Sequence, residues 1–375
     1  MTNWEQPVVL RFAKLQLVGS QWRKYEESIF QSGLNEVSES SESDIQISVV
    51  SIEENSIGSE NKSPYVVPPG IPRDIDNTTI VQRRTNEQSL QICIDDLSDG
   101  DGRAIFKESN FLLINYGRIK MFIHAEPKDG EILDDNEINA FLRFGSDYEN
   151  NYYEIELPLK ITRPELLNQS SSNLSRLVWP QENEINFSID ELLSLKSERN
   201  REKIDINSPF TKMSANGKYK IRIKGRPSLG SILNIMIGIK NPLSEDRASK
   251  SACLWFNELR LTDFDKTKGW AANASLNVKL SDIGNISSSL RYTSVGFGSI
   301  QQKISERSRE EKLQYDASAN LNLDKLLPSK SGIKLPLYIS TSKSIITPKY
   351  DPLDKEIPLE AAIKSFDTKK QQQEY

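Results

Sequence analysis

GWAANASLNVKLS, residues 269–281, alternates apolar and polar side chains almost without error. Trp270, Ala272, Ala274, Leu276, Val278 and Leu280 share one parity, and Asn273, Ser275, Asn277, Lys279 and Ser281 share the other. Successive side chains of a strand project to opposite faces, so the stretch predicts a ribbon with one greasy and one wet side. LQYDASANLNLD, residues 313–324, is as strict: Leu313, Tyr315, Ala317, Ala319, Leu321 and Leu323 oppose Gln314, Asp316, Ser318, Asn320, Asn322 and Asp324. Two further alternating runs lie between Trp270 and Ser344, one of them setting Ile286, Leu290 and Tyr292 against Arg291. Runs of roughly 9–11 residues with this pattern are long enough to cross an outer membrane as barrel strands.

Half-buried strands of soluble sandwiches alternate too, so periodicity alone leaves both readings open. The wet faces favour a water-filled lumen. Their candidate lumen-facing residues are Asn273, Asn277, Lys279, Arg291, Gln314, Asp316, Asn320 and Asn322. The candidate lipid-facing set is Trp270, Ala272, Ala274, Leu276, Val278, Leu280, Ile286, Leu290, Tyr292, Leu313, Tyr315, Leu321 and Leu323. Aromatic residues near run ends (Trp270, Tyr292, Phe297, Tyr315, Tyr338, Tyr350) suit interfacial girdles. The alanines of the greasy faces are thin for a lipid-facing surface.

The 375 residues suffice for two or three domains, and 37% apolar content allows ordinary cores. A mean hydropathy of −0.54 excludes apolar helical spans but not a barrel, half of whose side chains face water. The net charge of −5 comes with scattered basic residues, which argues against nucleic-acid binding. Cys93 and Cys253 each sit in an apolar, strand-like run. A bond between them requires neighbouring strands, which sequence cannot establish; two small buried hydrophobes is the favoured reading. The start shows no leader features and the end stops in mid-segment, so the chain reads as an internal piece of a longer protein.

Residues 1–52 read as the last strands of a preceding β-domain, with a Ser/Glu-rich loop and a short strand at Ile45–Ile52. Residues 53–90 contain PYVVPPGIP (64–72) and read as an extended linker. From residue 91 to 263, strands are expected at Gln91–Ile94, Arg118–Ala125, Asn139–Phe144, Tyr152–Pro158, Lys218–Lys224, Leu233–Ile239 and Ala252–Leu261. One helix is signalled near 188–198, with Ser188 as cap and Glu191 completing a capping box. Residues 264–350 hold four antiparallel strands joined by short turns at Asp282–Asn285 and Pro328–Gly332 and a longer connection at Gly296–Lys312; residues 351–375 read as a truncated loop or helix. The predicted class is all-β: a jelly-roll or galactose-binding-like β-sandwich followed by antiparallel transmembrane strands of a partial barrel.

Catalytic chemistry is not signalled. His124 is the single histidine and has no ligand or nucleophile at useful spacing, so it reads as structural. Asp99-Gly-Asp-Gly102 lacks the further acidic positions of a calcium loop and reads as a turn. No catalytic, cofactor-binding or metal residue is assigned. The run LWFNELRL (254–261) looks like the closing strand of galactose-binding-like modules, which makes a cell-surface carbohydrate-binding or adhesive protein the competing reading. Trp255 would be its sugar platform, although core packing is the preferred role for that side chain.

Longer segments carry a resemblance. LWFNELRLTDFDKTKGWAANASLNVKL (254–280), GFGSIQQKISERSRE (296–310), TPKYDPLDKEIPL (347–359), WEQPVVLRFAKLQLVGSQWRKY (4–25), PPGIPRDID (68–76), NEQSLQICIDDLSDGDGRAIFK (86–107) and RIKMFIHAE (118–126) resemble the SprA/Sov family. These are giant outer-membrane proteins of Bacteroidetes, forming the translocon of type IX secretion and supporting gliding motility. The resemblance implies a single-chain barrel that exports folded cargo, without a cofactor. Implied partners are cargo proteins with C-terminal sorting domains, a smaller outer-membrane barrel that collects cargo, a periplasmic plug protein and outer-membrane lipid. The implied location is the outer membrane, with the sandwich outside the bilayer. Family members are several-fold longer, and four strands cannot close a barrel, since open edges in lipid leave backbone groups unpaired.

Overall fold

The computed structural model describes residues 21–29, 45–59, 62–76, 83–128, 131–164, 173–266, 268–302, 306–328, 332–352, 354 and 356–364. Their strands run in order β1 (Arg23–Tyr25), β2 (Ile45–Ser51), β3 (Ile75–Asp76), β4 (Arg83–Arg84), β5 (Gln88–Leu97), β6 (Gly102–Phe111), β7 (Tyr116–Pro127), β8 (Asn139–Gly145) and β9 (Tyr152–Pro158). There follow β10 (Ile185–Ser188), β11 (Phe210–Met213), β12 (Lys220–Lys224), β13 (Ile232–Lys240), β14 (Lys250–Phe264), β15 (Ala271–Leu280), β16 (Gly284–Thr293), β17 (Glu310–Asn322) and β18 (Pro336–Pro348). Helices are α1 (Ile52–Asn55), α2 (Leu174–Val178), α3 (Ile189–Arg201) and α4 (Leu359–Lys364). The all-β class holds.

Two antiparallel sheets make a sandwich. One has the order β1-β6-β13-β8-β9-β12-β11 and the other β10-β7-β14-β5-β2. Alternate residues of both sheets, such as Ile105, Leu142, Ile155 and Ile237 opposite Ile92, Ile123 and Leu254, merge into one buried cluster. Period-two strands with an apolar parity dictate this arrangement, because each sheet must hide one face. A separate sheet, β15-β16-β17-β18, carries the strictly alternating runs.

Several sequence expectations are corrected. β1 and β2, read as the end of an earlier domain, belong to the sandwich: Lys24 pairs with Ile105, and Ile47 with Ile92. The Pro-rich stretch is extended but does not hang free as a linker. Tyr65 is buried, and the carbonyls of Val66 and Val67 accept from Trp179 Nε1 and Ser175 Oγ, both at 2.7 Å. Proline has no N–H to give a ladder, so this stretch binds through its carbonyls and rings. Ser188 does precede α3, yet its side chain makes no cap bond, and Glu191 instead accepts from the Ala215 N–H at 2.9 Å. The connection after β17 is longer than a tight turn and includes a 3-10 turn at Leu323–Leu326.

Cys93 and Cys253 form a disulfide, against the reading of two separate hydrophobes. They are directly opposed on β5 and β14, a register that only the folded sheet specifies. Replacing both by alanine is expected to lower stability by about 2–5 kcal/mol, because the bond closes a loop across 160 positions of sequence. Denaturant titration of the oxidised protein against the double variant checks this.

The outer face of the larger sheet buries charge. Glu154 is fully buried and accepts from Arg143 Nε at 2.8 Å, Lys240 Nζ at 2.6 Å and Arg222 Nη1. Lys240 also bonds Glu156 at 2.8 Å. Burial alone would raise the Glu154 carboxyl, but Lys240, Arg143 and Arg222 together hold it far below the ordinary range. The stabilisation is complete above the unfolded-state value near pH 4.5 and drains away as the pH falls towards the depressed folded-state value. Glu154→Gln removes the carboxylate that three buried cations share, leaving Arg143 without its carboxylate and Glu156 to serve Lys240 and Arg222, and should cost about 3–5 kcal/mol at neutral pH while flattening the acid limb of the stability curve. Unfolding free energies between pH 3 and pH 7 read both effects.

Candidate functional site: the two-faced strand ribbon

The four ribbon strands span 10 to 13 residues each and pair in register without a bulge. Residues directly opposed on neighbouring strands point to the same face, so the alternation of each strand is carried across the sheet in rows. One face holds Ala272–Tyr292–Leu313–Ile345, Ala274–Leu290–Tyr315–Lys343, Leu276–Ser288–Ala317–Thr341, Val278–Ile286–Ala319–Ile339 and Leu280–Gly284–Leu321–Leu337. Every candidate for the lipid-facing role on these strands lies in those rows. Lys343 and Thr341 interrupt the apolar surface on its outer strand. Leu323 leaves the pattern, since it begins the 3-10 turn beyond β17.

The other face holds Ala271–Thr293–Lys312–Ile346, Asn273–Arg291–Gln314–Ser344, Ser275–Ser289–Asp316–Ser342, Asn277–Ser287–Ser318–Ser340 and Lys279–Asn285–Asn320–Tyr338. The candidates for the lumen-facing role are brought together here. Asn322 lies at the end of β17, where its N–H donates to Ile283 O at 2.6 Å. A hollow of about 480 Å³ sits on this polar face, lined by Ser275, Ser287, Ser289, Asp316, Ser318 and Ser342 among others.

Neither face is covered among the described residues. Leu276 is 60% exposed and Ile339 55% exposed, on a face whose neighbours are mostly hydrocarbon. A contiguous apolar patch of that kind marks contact with lipid or another chain. The Trp270 ring stacks on Tyr292, with centroids 4.5 Å apart, at the sandwich end of the ribbon. Both outer strands, β15 and β18, have one partner each, and the sheet does not close on itself.

The ribbon is fastened to the sandwich at its base. β14 leads through Phe264, which packs edge-on to Tyr116, to Asp265, whose N–H donates to Asn115 O at 2.8 Å. Lys349, just after β18, bonds the Asp265 carboxylate at 2.8 Å. A Cβ on Gly269 would lie 1.9 Å from the Phe297 nitrogen and 2.1 Å from the Gly296 carbonyl carbon. The GWAAN and GFGS segments thus meet backbone to backbone. Beyond Lys349 the chain returns to the sandwich. Glu356 is buried and accepts from Lys196 Nζ at 2.7 Å, Tyr153 OH at 3.1 Å and the Leu229 N–H. Asp354 adds a second carboxylate 3.0 Å from Lys196 Nζ. Burial and the neighbouring Glu356 charge push the Tyr153 hydroxyl well above its usual value, so it stays a donor. Sequence reasoning missed this anchor, because nothing local marks Lys196 or Glu356 as buried.

Trp255 does not form a platform. It is 2% exposed, lies 4.0 Å from the His124 ring and packs against Tyr65 and Trp179. The His124 Nδ1 hydrogen points to Val178 O at 2.7 Å, and Nε2 faces Glu126 Oε2 at 3.4 Å. Burial would raise the Glu126 carboxyl, but His124 and the Ser63 N–H bond together hold it below the usual range. The histidine is sealed inside the outer aromatic cluster. An apolar hollow of about 190 Å³ opens into the sandwich core between Phe111, Leu142 and Leu261 and offers a single hydroxyl, that of Ser109. Among the described residues no group of three or more His, Cys, Asp or Glu is placed to hold a metal ion, and no helix is long and apolar enough to cross a membrane.

A family model described as a motility related/secretion protein matches residues 1–363. No curated protein matches the chain.

Lys196→Met leaves Glu356 buried without its cation and should cost about 3–5 kcal/mol of stability. Hydrogen exchange at the Leu229 amide should rise in step, as the returning segment loosens before the sandwich does. Unchanged exchange at Leu229 would show that the returning segment is held by something other than this pair.

Proposed function

The chain belongs to the SprA_N family of motility related/secretion proteins, and from that premise we propose that its four-stranded ribbon is part of the wall of an outer-membrane β-barrel. The carrying observation is that one face of the ribbon is built from rows of polar side chains, with a hollow of about 480 Å³ against it, while the other is mostly apolar and yet exposed. A barrel wall needs that assignment: water inside, hydrocarbon outside. Strands of 10 to 13 residues match the length a tilted membrane strand requires.

The wall belongs to a conduit through which folded cargo leaves the cell in type IX secretion, in support of gliding motility. The conduit works by passage alone, with no bond made or broken. Further strands must complete it, pairing with the open edges of β15 and β18, because unpaired backbone in lipid costs several kcal/mol per group. Trp270 and Tyr292 mark the bilayer surface nearest the sandwich, where amphipathic rings are favoured. The sandwich, of jelly-roll and galactose-binding-like type by its closing strand, then stands outside the bilayer at that surface. A disulfide suits an oxidising compartment beyond the cytoplasm. The expected partners follow from the resemblance: cargo with C-terminal sorting domains, a smaller collecting barrel, a periplasmic plug and outer-membrane lipid.

The carbohydrate-binding alternative loses its main support, since the side chain nominated to stack on a sugar is sealed in the aromatic cluster.

Two arginine substitutions on adjacent residues test the wall. Leu276→Arg faces the hydrocarbon and should cost about 2–4 kcal/mol near the midplane, sharply lowering the amount of protein assembled in the outer membrane. Ser275→Arg, on the hollow face, should assemble normally. Equal losses in membrane-fraction immunoblots would count against a wall with one wet and one greasy side.

A further inference from the structure

We propose that the outer face of the smaller sandwich sheet, at the end nearest the ribbon, carries an oxyanion site for the phosphate of a lipid headgroup. The site is built on the sandwich alone; that its phosphate belongs to a lipid rests on the wall reading. Two rows cross β10, β7 and β14 on this face, Ser188–Arg118–Thr262 and Asn186–Lys120–Arg260. Ile119, between Arg118 and Lys120, points the other way, into the core. Three cations therefore share two adjoining rows, and Arg260 stands directly opposite Lys120.

Opposed residues of antiparallel strands hold their Cβ atoms about 4.5–5.5 Å apart, so like charges there are destabilising. Elsewhere the sandwich answers its half-buried and buried cations with carboxylates. Arg143, Arg222 and Lys240 share Glu154, Lys196 has Glu356, and Lys250 has Glu137. Arg118, Lys120 and Arg260 are half-buried too, yet none of them forms an ion pair among the described residues. The acids that flank them in the chain, Glu184, Asp190, Glu191, Glu258 and Asp263, leave all three unpaired.

The donors are fixed and open. Arg118 Nε and Nη2 donate to Asn186 Oδ1 at 2.7 Å and Asn186 O at 2.9 Å, which orients the guanidinium and leaves Nη1 without an acceptor. Arg260 lies over the Phe122 ring, 5.3 Å from its centroid, and its Nε is buried with no hydrogen-bond partner. Thr262 Oγ1 is buried and unpartnered as well. Buried donors without acceptors are costly, and here they adjoin uncompensated positive charge. A phosphate monoester brings about −1.5 to −2 charges and three acceptor oxygens, which suits three cations and a hydroxyl better than one carboxylate does. The place suits a headgroup. β14 runs on from Thr262 to the foot of the ribbon, and Trp270 follows Thr262 by eight positions, a reach of at most about 27 Å. Lys266 and Lys268, both exposed, extend the positive charge along that connection.

The test uses the full-length protein purified from source-cell outer membranes in non-ionic detergent. Equilibrium dialysis measures binding of radiolabelled inorganic phosphate and of dihexanoyl phosphatidic acid, with dihexanoyl glycerol as the phosphate-free control. Both phosphates should compete for one site, the lipid binding more tightly, and the glycerol compound should displace neither. Lys120→Gln with Arg260→Gln should weaken binding at least about tenfold, because two charge-assisted partners are lost. Lys266→Gln with Lys268→Gln removes the same charge from the exposed connection and should weaken it about twofold or less. Equal losses in the two double variants would reveal a diffuse positive field and overturn the site, as would a parent protein that binds neither phosphate. Lys120→Gln alone should melt no lower than the parent in phosphate-free buffer, since it relieves a like-charge pair. A lower melting temperature would assign Lys120 to structure and overturn the inference. Inorganic phosphate bound at the site without phosphatidic acid would overturn the lipid source and leave the oxyanion site standing. The wall reading is scored apart from this, by the Leu276→Arg and Ser275→Arg immunoblots, which touch no residue of the site.

Discussion

Strand β14 hydrogen-bonds to β5 on one side and β7 on the other, and both bodies of the described chain depend on that double ladder. Its 15 residues place Leu254 and Phe256 in the sandwich core and Cys253 and Trp255 on the opposite face. Phe256 thus helps close the core, while its neighbour Trp255 supports the Tyr65 and Trp179 rings that hold the Pro-rich cover in place. Past Asn257 the register shifts, Glu258 takes a positive φ of 54°, and the strand continues to Phe264 at the foot of the ribbon. A bulge adds twist to a strand without ending it, which lets one ladder serve a closed core and then point out of it.

Burial in this molecule follows two different rules. In the sandwich, alternation is satisfied inside the chain, and even the polar outer faces are sealed: Glu154 by three cations, Glu126 by His124 and the Ser63 N–H. In the ribbon the same alternation is left open on both sides. A sheet with one mostly apolar face and one polar face has no single solvent that suits it. That mismatch is the feature on which the proposed wall rests.

The ribbon was legible from sequence because period two is a local property. Asn273 and Asp316 share one face and Leu276 and Leu321 the other, a grouping that period two gives without knowledge of their neighbours. β6 was not legible, although it sits second in the larger sheet. Its first half is buried on both sides, with Ala104 in the outer cluster and Ile105 in the core, so GRAIFKESNF never alternates. The disulfide, the Pro-rich cover and the Lys196–Glu356 anchor stayed hidden for a common reason. Each joins residues distant in sequence through a register or a fold-back that no window contains.

The two fastenings at the base give the ribbon a mechanical character. Asp265 holds the incoming side and Glu356 the outgoing side, so the four strands form a loop with both ends tethered to one body. Chain entropy then favours pairing, since a loop whose ends are already held gives up less freedom when it folds. A pull on the far hairpins reaches both tethers together and runs along the strands, loading their hydrogen bonds in shear. A ribbon held at one end would instead meet the same pull as peeling, and open one bond at a time.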